Sequence, residues 1–197
     1  NTFTAGTWVV DEGESEASPL FHSVVINELM WMGSTVNSDD EWIELRNMTT
    51  NDISIVGWKI TKYTTVDEVM LTIPSGATIP ANGYFLISKF GKDDSRSALN
   101  MEMLVSNSVG LRNSNLRIKL YKDEINDGNL VDVADDGVGF PLSGYDGGLV
   151  GPRKSMSRKS TPGDGTQASN WFIATNNSTD YWDSQDGNHG TPGGANE

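Results

Sequence analysis

The sequence predicts an all-β fold, either a sandwich or a barrel, and three observations carry the prediction. Short runs rich in β-branched and aromatic residues recur roughly every ten residues. Clusters of Gly, Pro, Asn and Asp separate them, drawn from 21 glycines and 7 prolines in 197 residues. No amphipathic stretch is long enough for a helix of about ten residues. Residues 24–47 are the clearest part, with VVINELMWMG, then the polar STVNSDD, then EWIELRN. Ile43 and Leu45 stand two apart, so an extended backbone places them on one face.

Taken in order, NTFTAGTWVV (1–10) reads as a short strand with Phe3, Trp8, Val9 and Val10, and DEGESEASP as an acidic linker. Residues 1–22 are therefore an N-terminal strand and linker. A single sandwich domain is expected over 23–175, and a Gly, Asn and Asp-rich tail over 176–197, packed on the domain. The strand pair occupies 24–32 and 41–47. Residues 53–61 (ISIVGWKIT) form a third run and 69–73 (VMLTI) a fourth. PSGATIPANG (74–83) is turn chemistry, with Pro presetting φ and Asn-Gly accepting positive φ. YFLIS (84–88) is apolar until Ser88, as in a strand buried on both faces. Residues 99–106 read as a short strand or a turn. LRIKLYK (116–122) alternates, with Leu116, Ile118 and Leu120 on one side. Asp127-Gly128 marks a hairpin returning through LVDVAD (130–135). After the Gly-rich 136–152, RKSMSRK (153–159) reads as an edge strand blunted by its charges, and NWFIA (170–174) as a last strand. The total is about 8–10 short strands.

The net charge of −13, with a pI near 4.4, argues against a non-specific grip on nucleic acid or an anionic membrane, because counterion release needs clustered Lys and Arg. Such acidity suits solubility outside the cell. Cysteine is absent, which removes disulfides, Cys-bearing metal sites and Cys nucleophiles while leaving the compartment open. No apolar run approaches the roughly 18–20 residues of a membrane helix. The chain begins at Asn1 rather than Met, and the expectation is that an upstream piece has been removed. NTFTAGTW resembles the segment just after the signal region in some exported bacterial proteins, so the expected location is secreted or cell-surface.

An ordered series of motifs is more specific. It runs from Ile26, Asn27 and Glu28 through Asp40, Glu41 and Trp42 to Gly57 and Trp58. It closes with Ser155, Met156 and Arg158, then Asn170 and Trp171, then Thr191, Pro192 and Gly193. From about 23 to 195 this resembles the lamin tail domain, in the form found in bacterial exported proteins. Ser157 stands where that form usually carries an acid, the 136–152 connection is long, and no coiled-coil rod is present in these 197 residues. The resemblance implies an immunoglobulin-like β-sandwich without catalysis. It would act in protein–protein interaction or cell-surface adhesion, with a protein or cell-envelope component as partner and the oligomeric state open. The alternative is a glycan- or calcium-binding accessory domain of a larger extracellular enzyme.

Chemistry-bearing groups are sparse. His22 and His189 sit in a linker and a Gly-rich tail, with no Gly-x-Ser-x-Gly or Ser-x-x-Lys. No catalytic residue and no cofactor is therefore expected. Glu28, Glu41 and Glu44 lie among large apolar neighbours and read as paired structural carboxylates, with Asn27 or Arg46 as partner, or as an acid/base pair. Asp123, Asn126, Asp127, Asn129 and Asp132 form an oxygen-rich hairpin, either solvated or calcium-binding, whose spacing is not that of an EF-hand. The six tryptophans (Trp8, Trp31, Trp42, Trp58, Trp171, Trp182) read mainly as core, with sugar stacking as the rival and Trp182 as the best exposed candidate. Arg153, Lys154, Arg158 and Lys159 are the basic cluster. They read as a charged edge or as an edge for docking an acidic partner.

Overall fold

The computed structural model describes residues 22–148, 151–175 and 187–196; the strand expected at 1–10 and Trp182 lie outside them. Fifteen short strands appear among these residues. They are β1 (Val24–Met30), β2 (Trp42–Asn47), β3 (Ile53–Ser54), β4 (Lys59–Tyr63), β5 (Asp67–Thr72), β6 (Thr78–Ile79), β7 (Tyr84–Ser88) and β8 (Leu104–Val105). The remainder are β9 (Ile118–Tyr121), β10 (Leu130–Ala134), β11 (Tyr145–Asp146), β12 (Arg153–Lys154), β13 (Met156–Arg158), β14 (Trp171–Ile173) and β15 (Asn188–His189). The only helical segments described are two 3₁₀ turns.

A six-stranded sheet in the order β14-β13-β1-β2-β7-β8 faces a four-stranded sheet in the order β10-β9-β4-β5. Period-two alternation sends Ile43 and Leu45 of β2 inward to meet Ile60, Ile118 and Leu120, all of them buried. The expected inward set Leu116, Ile118 and Leu120 is buried as read. The Asp127-Gly128 hairpin also forms: β9 and β10 pair antiparallel, and the Asn126 side chain accepts from Asn129 N at 3.1 Å.

The run expected at 53–61 divides in two. Gly57 takes φ +80°, a conformation L side chains rarely adopt, and Trp58 N donates back to Ile55 O at 3.1 Å. This turn sends β3 to pair with β6 and β4 to the four-stranded sheet. The run at 153–159 also divides. β12 lies between β11 and β15, and β13 lies between β1 and β14, so neither is an edge.

Trp58, just after that turn, is 3% exposed within the core. Replacing Trp58 by Ala is expected to cost about 3–5 kcal/mol, from lost burial plus the cavity left behind. A denaturant titration checks this, and a loss below about 1 kcal/mol would place Trp58 outside the core.

Candidate functional site

The basic cluster is not assembled as the sequence reading expects. Arg158 is fully buried, and its Nη1 and Nη2 each lie 3.3 Å from an oxygen of buried Asp132. It also donates to Pro162 O and Gly163 O, each at 2.7 Å, and stacks 4.7 Å from the Trp171 ring. Arg153 is ion-paired with Asp146. Lys154 is half-buried and Lys159 exposed. Arg158 is thus unavailable to a partner, because Asp132 and the two loop carbonyls of Pro162 and Gly163 hold it inside. The same pair takes Asp132 out of the acidic hairpin, where the remaining acids are exposed. Among the described residues no three His, Asp or Glu side chains gather as a metal would need. Trp31, Trp42, Trp58 and Trp171 are all buried, and Trp8 lies outside the described residues.

Two accessible surfaces stand out among the described residues. The first is a groove of about 650 Å³ along β7, walled by Tyr84, Phe85 and Leu86 on one side and Met101, Met103 and Leu104 on the other. The turn at 74–77 and Gly193 close its rims. The second is the loop after β10. Its backbone is pinned: Asp135 accepts from Gly137 N at 3.1 Å and Leu142 N at 2.6 Å. Asn115 N donates to Gly139 O at 2.6 Å, and the Asn115 side chain accepts from Gly139 N at 2.9 Å. Burial raises the Asp135 carboxyl to about 6 despite these donors. On this pinned frame Val138 is 71% and Phe140 86% exposed. Beside Phe140 opens a cleft of about 340 Å³ lined by Trp31, Asn113, Pro141, Tyr145 and Asp146. Gly144, at φ +91°, lies so close that a Cβ there would meet Trp31 Nε1 at 2.5 Å. Sequence reading did not single out Phe140, because a lone Phe between Gly139 and Pro141 carries no periodic signal.

The tempting carboxylates are structural. Glu28 and Glu44 face each other across β1 and β2, both fully buried. Glu28 accepts from Ser155, from Ser157 at 3.0 Å, and from the backbone and side chain of Thr191. Asn27 donates to Glu44 at 2.7 Å, the pairing expected, and Gly193 N donates to its other oxygen. Burial raises both groups, and the neighbouring Glu28 raises Glu44 further. With no exposed surface, neither meets a substrate. Instead they pin residues 191–193 against the outer face of the six-stranded sheet. Glu41, beside β2, is raised to about 8, chiefly by burial and against a backbone hydrogen bond at Leu111 and the charge of Lys89.

A raised folded pKa means stability that is full below the unfolded value and lost as pH climbs through the folded one. For Glu41 the window runs from about 4.5 to about 8. The melting temperature should therefore fall as pH rises from 5 to 8.5, and Glu41→Gln should shrink that fall by at least about 2 °C. Calorimetry over this range checks it, and an unchanged slope would remove Glu41 from the account.

The family model described as Lamin Tail Domain matches residues 18–137, while no curated protein matches the chain. The match covers β1 to β10 and ends within the pinned loop, and the immunoglobulin-like, all-β sandwich expected from the resemblance is the fold observed. The chain belongs to the lamin tail domain family.

Proposed function

We propose that this chain is a non-catalytic interaction module of an exported bacterial protein, acting at the cell surface in adhesion or scaffolding. The observation that carries the proposal is Phe140, 86% exposed on a loop whose backbone is held by Asp135 and Asn115. A large apolar side chain on an unpinned loop would fold back onto the surface. Here the hydrogen bonds forbid that, so the exposure is built in, as in interface anchors. The buried state of Glu28 and Glu44 and membership in an immunoglobulin-like family support a role without catalysis. The exported location rests on the resemblance of NTFTAGTW to post-signal segments and on the acidic balance. Of the basic cluster, Lys154 and Lys159 remain to steer an acidic partner, and both act through rate rather than affinity.

The cleft beside Phe140 favours a second reading, a glycan-binding accessory domain. Its aromatic wall and its Asn113 and Asp146 side chains offer a stacking face with polar neighbours.

Phe140→Ser separates binding from folding. Its effect on stability should stay within about 0.5 kcal/mol, since the side chain is solvated. A partner retained from native cell-envelope protein by the wild-type chain should be lost by the variant, with deglycosylation of the envelope making no difference. Loss of retention on deglycosylation moves the reading to glycan. Equal retention by both chains refutes the role of the loop.

A further inference from the structure

Glu28 and Glu44 stand directly opposite each other in the β1–β2 ladder, and neither has exposed surface. Like charges so placed repel, and burial leaves no water to screen them. Residues 190–194 close them off. Thr191 donates to Glu28 from its backbone at 3.1 Å and from its hydroxyl at 3.2 Å, and Gly193 N donates to Glu44. Gly190 lies so close that a Cβ there would meet Glu28 Oε1 at 3.1 Å and the Trp42 ring at 3.2 Å. Gly193 takes φ +81°, and together with Gly190 and Gly194 it makes the segment easy to bend. Its two ends are held separately, by β15 on β12 and by Asn196 on Asn27 O and Arg158 O.

We infer that residues 190–194 are a pH-gated strap, shut over the carboxylate pair while the pair keeps a proton and lifted once both groups ionise.

The groups packed around the pair leave its charge largely uncompensated. Burial raises both carboxyls, and Glu28 raises Glu44 further, against their hydrogen bonds and the charge of Arg46. Arg46, on β2, also donates to Ser160 O at 3.3 Å. On β7, Tyr84 stands opposite Arg46, and burial raises its phenol. β13 contributes the neutral hydroxyls of Ser155 and Ser157, while Arg158 turns to Asp132. Residues 190–196 carry no charge, and on β15 the His189 ring lies 3.1 Å from Thr175 O. Lifting the strap lets water reach both carboxylates and returns them toward the ordinary range. Closure therefore binds a proton. It is complete at low pH and weakens as pH climbs through the raised range of the pair. Lifting also uncovers Trp42 and takes Gly193 from the rim of the β7 groove.

Amide hydrogen exchange on the full chain, from about pH 5 to about pH 9, tests this. Protection factors are compared, so that the intrinsic pH dependence of exchange cancels. Protection at Thr191 and Gly193 should fall at least about tenfold across the range, while Leu45, bonded in the β2–β7 ladder, stays better protected at every pH. Glu28→Gln removes the like charge, and its three hydroxyl neighbours can turn to accept the new amide. The fall should then shrink at least about threefold. Glu44→Gln reads the same pair from the other strand and should act alike. Constant protection across the range in the wild-type chain overturns the inference. So does a fall that both variants keep in full. A fall that Leu45 matches at every pH belongs to the whole sandwich rather than to the strap, and overturns it too.

Discussion

The buried pair of Arg158 and Asp132 joins the two sheets of this sandwich, and much of the structure is arranged to satisfy it. Asp132 belongs to β10 of the four-stranded sheet, and Arg158 to β13 of the six-stranded one. Asp132 also accepts from Ile26 N of β1 at 2.8 Å. A charge in such a place costs several kcal/mol unless every donor finds an acceptor. The loop after β13 meets that demand, turning back so that the carbonyls of Pro162 and Gly163 face the guanidinium. Trp171 covers its plane and donates to Gly165 O at 2.8 Å. One ion pair thus sets the approach of β13, the path of 159–165 and the placing of β14.

A second constraint acts on the opposite face of β1 and β2. Their outward side chains include Trp42, Glu28 and Glu44, which water would otherwise reach. Residues 187–196 lie across them: β15 pairs in parallel with β12, and Asn196 donates to Asn27 O and Arg158 O. The carboxylates serve as acceptors for this cover rather than as reagents. Ser157, beside Ser155 on this face, donates to Glu28 at 3.0 Å. A third carboxylate there would add like charge to a site already short of compensating cations. The frame is therefore rigid at its centre, and accessible apolar surface is left at its margins, along β7 and at Phe140.

How much of this could be read from the sequence depended on how local each cause is. Leu116, Ile118 and Leu120 reveal their face by spacing alone, and Trp58 follows a glycine that turns the chain before the strand. Such signals span only a few residues. The identity of Arg158 as a buried group does not, because its partner stands 26 positions away and its acceptors are backbone carbonyls that any residue carries. Four cations in seven residues looked like a solvated edge, yet only the sheet order shows that β13 has a neighbour on each side. β11 and β15, two residues each, are strands only because β12 lies between them. Phe140 was hidden for the opposite reason. Its exposure follows from hydrogen bonds at Asp135 and Asn115, and exposure of a lone aromatic leaves no pattern.

The account stands most directly on the energy of the pair that joins the sheets. A double-mutant cycle on Arg158→Met and Asp132→Leu, followed by denaturant unfolding, measures it. Each single change should cost about 3–5 kcal/mol, since it strands a buried charge. The double change should cost far less than the sum of the two, giving a coupling energy of at least about 2 kcal/mol. Single variants that lose less than about 1 kcal/mol, or losses that simply add, would contradict the claim that this pair holds the sandwich closed.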